Sequence, residues 1–131
     1  MYEEKRSLLK EMIAFSTVDG HLQKKEYELL FLVANELNIE KGGFNDLCHQ
    51  ELPKLPQKNE SQRIQQFYRL AVLLHDEGNF HLRETATIKR IGMNMGLNPD
   101  ATKRVLKKIE KAPSTIIPAD VLVKMYKEER N

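Results

Sequence analysis

The sequence predicts an all-α protein, a single domain over residues 1–131 of about seven helices built from two related helix-turn-helix halves. Three observations predict it. Apolar residues recur at three- and four-residue intervals along most of the chain, and glycine or proline separates these stretches. An acidic, glycine-marked turn also occurs twice, 58 positions apart: Asp19-Gly20 followed by five residues and Glu26, then Glu77-Gly78 followed by five residues and Glu84. A length of 131 residues suits one compact core and is short for two independent ones.

The elements follow in order. Leu8, Leu9, Met12, Ile13 and Ser16 share one face of a first helix, expected from about Glu3 to Val18, before Asp19-Gly20 stops it. A second helix from about Lys24 turns Tyr27, Leu30, Val33, Ala34 and Leu37 inward. A shorter segment near Gly43 to Gln50 carries Phe44, Leu47 and Cys48. The stretch from Glu51 to Asn59 holds Pro53 and Pro56 and no helical face, so it reads as the connection between halves.

The second half repeats the order. Asn59 or Ser61 can cap a helix bearing Ile64, Phe67, Leu70, Ala71 and Leu74, which Glu77-Gly78 ends; the next helix carries Ile88, Ile91, Gly92 and Met95. Asn98-Pro99-Asp100 is a helix start with a mechanism. Asn accepts the orphan amide bonds, Pro loses nothing at the first helical position, and Asp suits the positive end. That helix runs to about Lys111, Pro113 breaks it, and Pro118-Ala119-Asp120 opens a last one, about 118–130, with Val121, Leu122, Met125 and Tyr126 as its apolar stripe. No segment reads as a strand. The half-repeats span about 3–50 and 60–111, and at the 58-residue offset Leu9 meets Phe67, Leu30 meets Ile88, Val33 meets Ile91, Leu37 meets Met95 and Ala34 meets Gly92.

Composition narrows the function classes. Hydrophobic residues make up 40% and charged residues 31%, ordinary for a globular protein, and the longest apolar run, Leu29 to Ala34, is far short of a membrane span. The charged start of the chain lacks the pattern of a secretory signal, and the lone Cys48 cannot form an internal disulfide, so a cytoplasmic setting is expected. The net charge of +2 is unevenly spread: residues 1–55 carry seven Lys/Arg against ten Asp/Glu, residues 56–131 fourteen against nine. No catalytic constellation stands out, and the chain is read as non-enzymatic.

The paired turns carry the candidate chemistry. Asp19 and Glu77 stand where the first helix of each half ends, and Glu26 and Glu84 in the first turn of the next. If the halves pack about an approximate twofold axis, these carboxylates, with Asp76 in reserve, collect on one face that suits a hard divalent cation such as Ca²⁺, Mg²⁺ or Mn²⁺. The loops lack the alternating oxygen ligands of an EF-hand. The competing explanation is architectural: glycine terminates helices without steric cost, and glutamate is favoured at a helix N-terminus by the exposed amides. Leu22 and Phe80 are expected to anchor each turn in the core.

The succession Asp19-Gly20, Leu22, Glu26, an amphipathic helix and Leu37-Asn38-Ile39, repeated as Glu77-Gly78, Phe80, Glu84 and Met95-Gly96-Leu97, resembles the TerB-like (tellurite-resistance) family over roughly residues 3–111. The resemblance implies a helical fold of two related halves with an acidic, metal-binding face. Related modules occur in DnaJ-like co-chaperones and in stress-response systems at the bacterial membrane, which implies a docking or sensing part with a protein partner. Asp19, Glu26 and Glu84 match the family's acidic pattern. Where the family usually shows Asp-Gly, this chain has Asp76-Glu77-Gly78, so the second-half ligand is either a longer carboxylate or one shifted back.

Other constellations are weaker. His21, His49, His75 and His81 match no zinc spacing, and Cys48 is expected to be buried as a small hydrophobe. The alternative function is nucleic-acid binding: residues 88–111 have the outline of a helix-turn-helix, with Lys103, Arg104, Lys107, Lys108 and Lys111 on one broad basic face. Against it, Thr102 sits where a recognition helix normally buries an aliphatic residue, and the equivalent segment of the first half has no basic character. A docking module predicts an exposed apolar patch around Val121 and Met125, alternatively a homodimer contact or ordinary core.

Overall fold

The computed structural model describes residues 2–16, 22–50, 59–76 and 85–130. These form seven α-helices, with no strand among the described residues: α1 (Tyr2–Ser16), α2 (Lys24–Glu36), α3 (Lys41–His49), α4 (Glu60–Asp76), α5 (Thr85–Asn94), α6 (Pro99–Lys111) and α7 (Ala119–Glu128). The packing divides the chain into two compact units, Met1–Lys58 and Asn59–Asn131. The division falls at the end of the proline-bearing stretch that the sequence marks as the connection.

In the first unit α1, α2 and α3 pack on one another. Leu8, Leu9, Met12 and Ile13 of α1 bury the face their spacing defines, as do Leu30, Val33 and Ala34 of α2 and Phe44 and Leu47 of α3. Phe44 is the hub: its ring lies 5.3 Å from that of Tyr27 and 5.9 Å from that of Phe31. α3 begins at Lys41, two residues before the expected start, and includes Gly42 and Gly43 despite their poor helix propensity. Burial of Phe44 and Leu47 holds the segment helical where intrinsic preference does not.

In the second unit α6 packs on α4, α5 and α7, and α4 also meets α7. Polar bonds pin the assembly. The Thr102 and Tyr126 hydroxyls share a buried hydrogen bond of 2.7 Å, the Tyr68 hydroxyl accepts the backbone N–H of Ile117 at 2.9 Å, and Asn98 donates from Nδ2 to the Glu129 carbonyl at 3.1 Å. Arg130 pairs with Glu60. Gly92 marks a close approach: a Cβ there would lie 3.2 Å from Phe67 Cε1 on α4 and 3.3 Å from Thr102 Cγ2 on α6.

The caps follow the sequence closely. Of the two candidates for α4, Asn59 is the N-cap: its side chain accepts the amide of Gln62 at 2.8 Å, and the Gln62 side chain accepts the amide of Asn59 at 2.9 Å, a reciprocal capping box. Asn98 caps α6 as expected, accepting the amides of Asp100 and Ala101 with Pro99 in the first turn.

Several backbone features of the two units coincide at the offset read from the sequence. At the 58-residue offset α1 and α4 start together, α2 and α5 end together, and α3 and α6 start together. α2 closes on Asn38 at φ 58°, and α5 on Gly96 at φ 79°. The same two bonds surround each: Asn38 N–H to Asn35 O and Ile39 N–H to Ala34 O in one unit, Gly96 N–H to Met93 O and Leu97 N–H to Gly92 O in the other. Each is a Schellman stop, which needs a residue tolerant of the left-handed region. Asparagine and glycine are among the few that tolerate it.

Three expectations change. Leu22 is half-buried rather than a core anchor, and Phe80 lies outside the described residues. Of the two residues named for an apolar patch on the last helix, Met125 is only 3% exposed and is core with Leu122 and Tyr126, the alternative to a patch, while Val121 is half-buried. Cys48 is half-buried, not fully so, and burial raises its thiol above the ordinary value.

Candidate functional site

Of the carboxylates assigned to the paired turns, Glu26 and Asp76 lie among the described residues; Asp19, Glu77 and Glu84 lie outside them. Asp76 is the exposed last residue of α4. Glu26 is the third residue of α2, whose N-cap Gln23 makes no side-chain capping bond. One carboxylate oxygen of Glu26, Oε2, is buried and has no hydrogen-bond partner among the described residues. The capping-box role that would explain a glutamate at this position is fulfilled in α4 by Gln62. In α2 the buried oxygen of Glu26 does not fulfil it. Among the described residues no three His, Cys, Asp or Glu side chains cluster as a metal would require.

One buried polar feature carries no obvious sequence signal. Lys5 is 9% exposed in α1, and at the 58-residue offset its counterpart in α4 is Arg63, whose Nε is buried without a hydrogen-bond partner among the described residues. Both residues are basic, and only the offset alignment pairs them. Charge normally argues for exposure, which hides the position.

The segment 88–111 consists of the greater part of α5, the turn 95–98 and α6, so its helix, turn and helix follow in the expected order. Lys103, Lys107, Lys108 and Lys111 are exposed on α6. Arg104 corrects the expected five-residue face, because its guanidinium turns to the end of α7 and pairs with Glu129 at 3.1 Å and Glu128 at 3.6 Å. Thr102, the anomaly of the sequence, is 1% exposed. Its methyl faces Gly92, and its hydroxyl is satisfied by Tyr126. Burial pushes the Tyr126 phenol above its ordinary value, while the bond to Thr102 draws it back.

The remaining groups among the described residues offer no convergent chemistry. His49 is exposed and its Nδ1 lies 2.7 Å from the Asn45 carbonyl; His21 and His81 are outside the described residues. A shallow depression of about 270 Å³ in the second unit is lined by Glu60, Gly96, Leu97, Asn98, Tyr126 and Arg130, of which Glu60 and Arg130 are paired with each other. No described helix is long and apolar enough to cross a membrane. Comparison of the chain with protein-family profiles, curated proteins and solved structures gives no match.

Proposed function

We propose that the chain is a non-enzymatic binding module whose first-unit turn takes a divalent cation through Glu26, in the service of a protein partner. The supporting observation is the buried Oε2 of Glu26, which meets no donor among the described residues. A carboxylate oxygen withdrawn from water costs free energy unless something positive meets it, and an ion is one of the few things that would. Oxygen ligands of this kind suit Ca²⁺, Mg²⁺ or Mn²⁺ rather than a thiophilic metal. Asp19, across the glycine turn in sequence, is the carboxylate assigned to join it, with water completing the shell; Glu84 with Asp76 or Glu77 is the second-unit counterpart.

The TerB-like resemblance supports the same reading, through its acidic pattern at Asp19, Glu26 and Glu84 and its association with sensing and stress response. A single cysteine supports a reducing, cytoplasmic setting.

The test is thermal unfolding of the full chain with and without millimolar Ca²⁺, Mg²⁺ or Mn²⁺, in wild type and in Glu26→Gln. An ion bound only by the folded state adds about 2.7 kcal/mol at one hundred times its Kd, a rise of several degrees in Tm. Wild type should show that rise with at least one ion, and Glu26→Gln should lose most of it. Equal responses in the two proteins, or none in either, would remove the proposal.

A further inference from the structure

The exposed side of α6 has no role in the cation reading. We infer that it is a docking surface for the phosphate backbone of duplex DNA, bound without regard to sequence. Lys103, Lys107 and Lys111 follow one another at four-residue intervals, which places them on one outward row about 6 Å apart along the axis, with Lys108 beside it. None of these four is ion-paired to another described residue, the exposed Asp100 and Glu110 of the same helix included. The acidic residues at the end of α7, Glu128 and Glu129, are turned to Arg104 instead. A row of three lysines with a fourth beside it, none paired to another described residue, is complementary to a row of phosphates.

The helix is also rigidly presented. Its inner face, Ala101, Thr102, Val105, Leu106 and Ile109, is buried, its first turn is capped by Asn98, and Thr102 is bonded to Tyr126. α5 leads into it through a short turn containing Gly96, the same connectivity as in motifs whose second helix enters the DNA major groove. The B-form groove is about 12 Å wide and admits a helix, whereas the deep, narrow major groove of duplex RNA does not, which favours DNA. An anionic membrane surface attracts lysines too, but the apolar side of α6 that would enter lipid is already committed to the core.

The exposed residues at the start of α6 are Pro99, Asp100 and Lys103, and none is an Arg, Asn or Gln fork. Lys103, which could reach a guanine edge, belongs to the row assigned to phosphate, which leaves Asp100 alone to meet a base. Contacts to phosphate position a protein without specifying sequence. Binding through four lysines therefore carries a salt slope of about −3.6 in log K against log salt, and micromolar or weaker affinity.

The experiment is fluorescence anisotropy of a labelled duplex of arbitrary sequence against the full chain, over a salt series. Three proteins are compared: wild type, Lys103→Glu/Lys107→Glu, and the charge-matched control Lys10→Glu/Lys41→Glu from the first unit, where both lysines are exposed. All four positions are at the surface, so unchanged circular dichroism and Tm should confirm folding of each. Wild type and control should bind alike, and the α6 variant should bind at least tenfold more weakly at low salt with its slope roughly halved. No binding by wild type, equal loss in both variants, or tighter binding to phosphatidylserine vesicles than to DNA would overturn the inference.

Discussion

The buried hydrogen bond between Thr102 and Tyr126 shows how one residue of the wrong apparent type can be right for its place. Position 102 is the repeat partner of Phe44, and both are buried. In the second unit Gly92 and Phe67 leave the space for a small side chain, and Tyr126 supplies the partner that a buried hydroxyl needs. Removing only one hydroxyl strands the other. Tyr126→Phe should cost about 1–2 kcal/mol, and Thr102→Val/Tyr126→Phe should recover part of that loss, because neither group is then left unsatisfied. Urea unfolding of the single and double variants measures it; strictly additive losses would show that the bond carries no coupling. Glu26 poses the opposite case, a buried oxygen that meets no partner among the described residues.

At the scale of elements, two glycines of the helices have opposite meanings. Gly42, in the first turn of α3, has open space where a Cβ would stand; Gly92, in α5, has Phe67 and Thr102 against it, each only 1% exposed and unable to yield freely. Gly42→Ala should therefore gain up to about 1 kcal/mol from helix propensity. Gly92→Ala should instead lose about 1 kcal/mol or more by overpacking the contact among α4, α5 and α6. Stabilisation by both substitutions would mean that the close approach at Gly92 is not needed. The pairing of Ala34 with Gly92 at the repeat offset points to a small-residue position, although the partners that impose it come from other helices and leave no local pattern. Caps are legible for a local reason: Asn59 and Asn98 act within three residues of themselves. The start of α3 is less legible, because glycine signals a break locally while Phe44 and Leu47 pull the segment into the core.

For the whole molecule, the likeness of the two units is more evident in backbone than in side chains. Helix ends and two left-handed stops coincide at one offset, whereas few residues are identical. Such a scaffold leaves surfaces free to differ, and those of the two units do. The lysine row of α6 has no counterpart in the first unit, where Asn45, His49 and Pro53 occupy the positions equivalent to Lys103, Lys107 and Lys111. The candidate cation site is legible in sequence only as a pattern of acidic residues beside glycine, which does not distinguish a ligand from a helix-start preference. The buried oxygen of Glu26, which meets no partner among the described residues, is the observation that favours a ligand. Residue-resolved NMR of the labelled protein under a substoichiometric Mn²⁺ titration tests this most directly, since the paramagnetic ion broadens the amides nearest to it. Broadening that begins at Leu22 to Tyr27 and is abolished by Glu26→Gln is the predicted result; broadening that spreads over surface carboxylates at random, or survives the substitution, would contradict it.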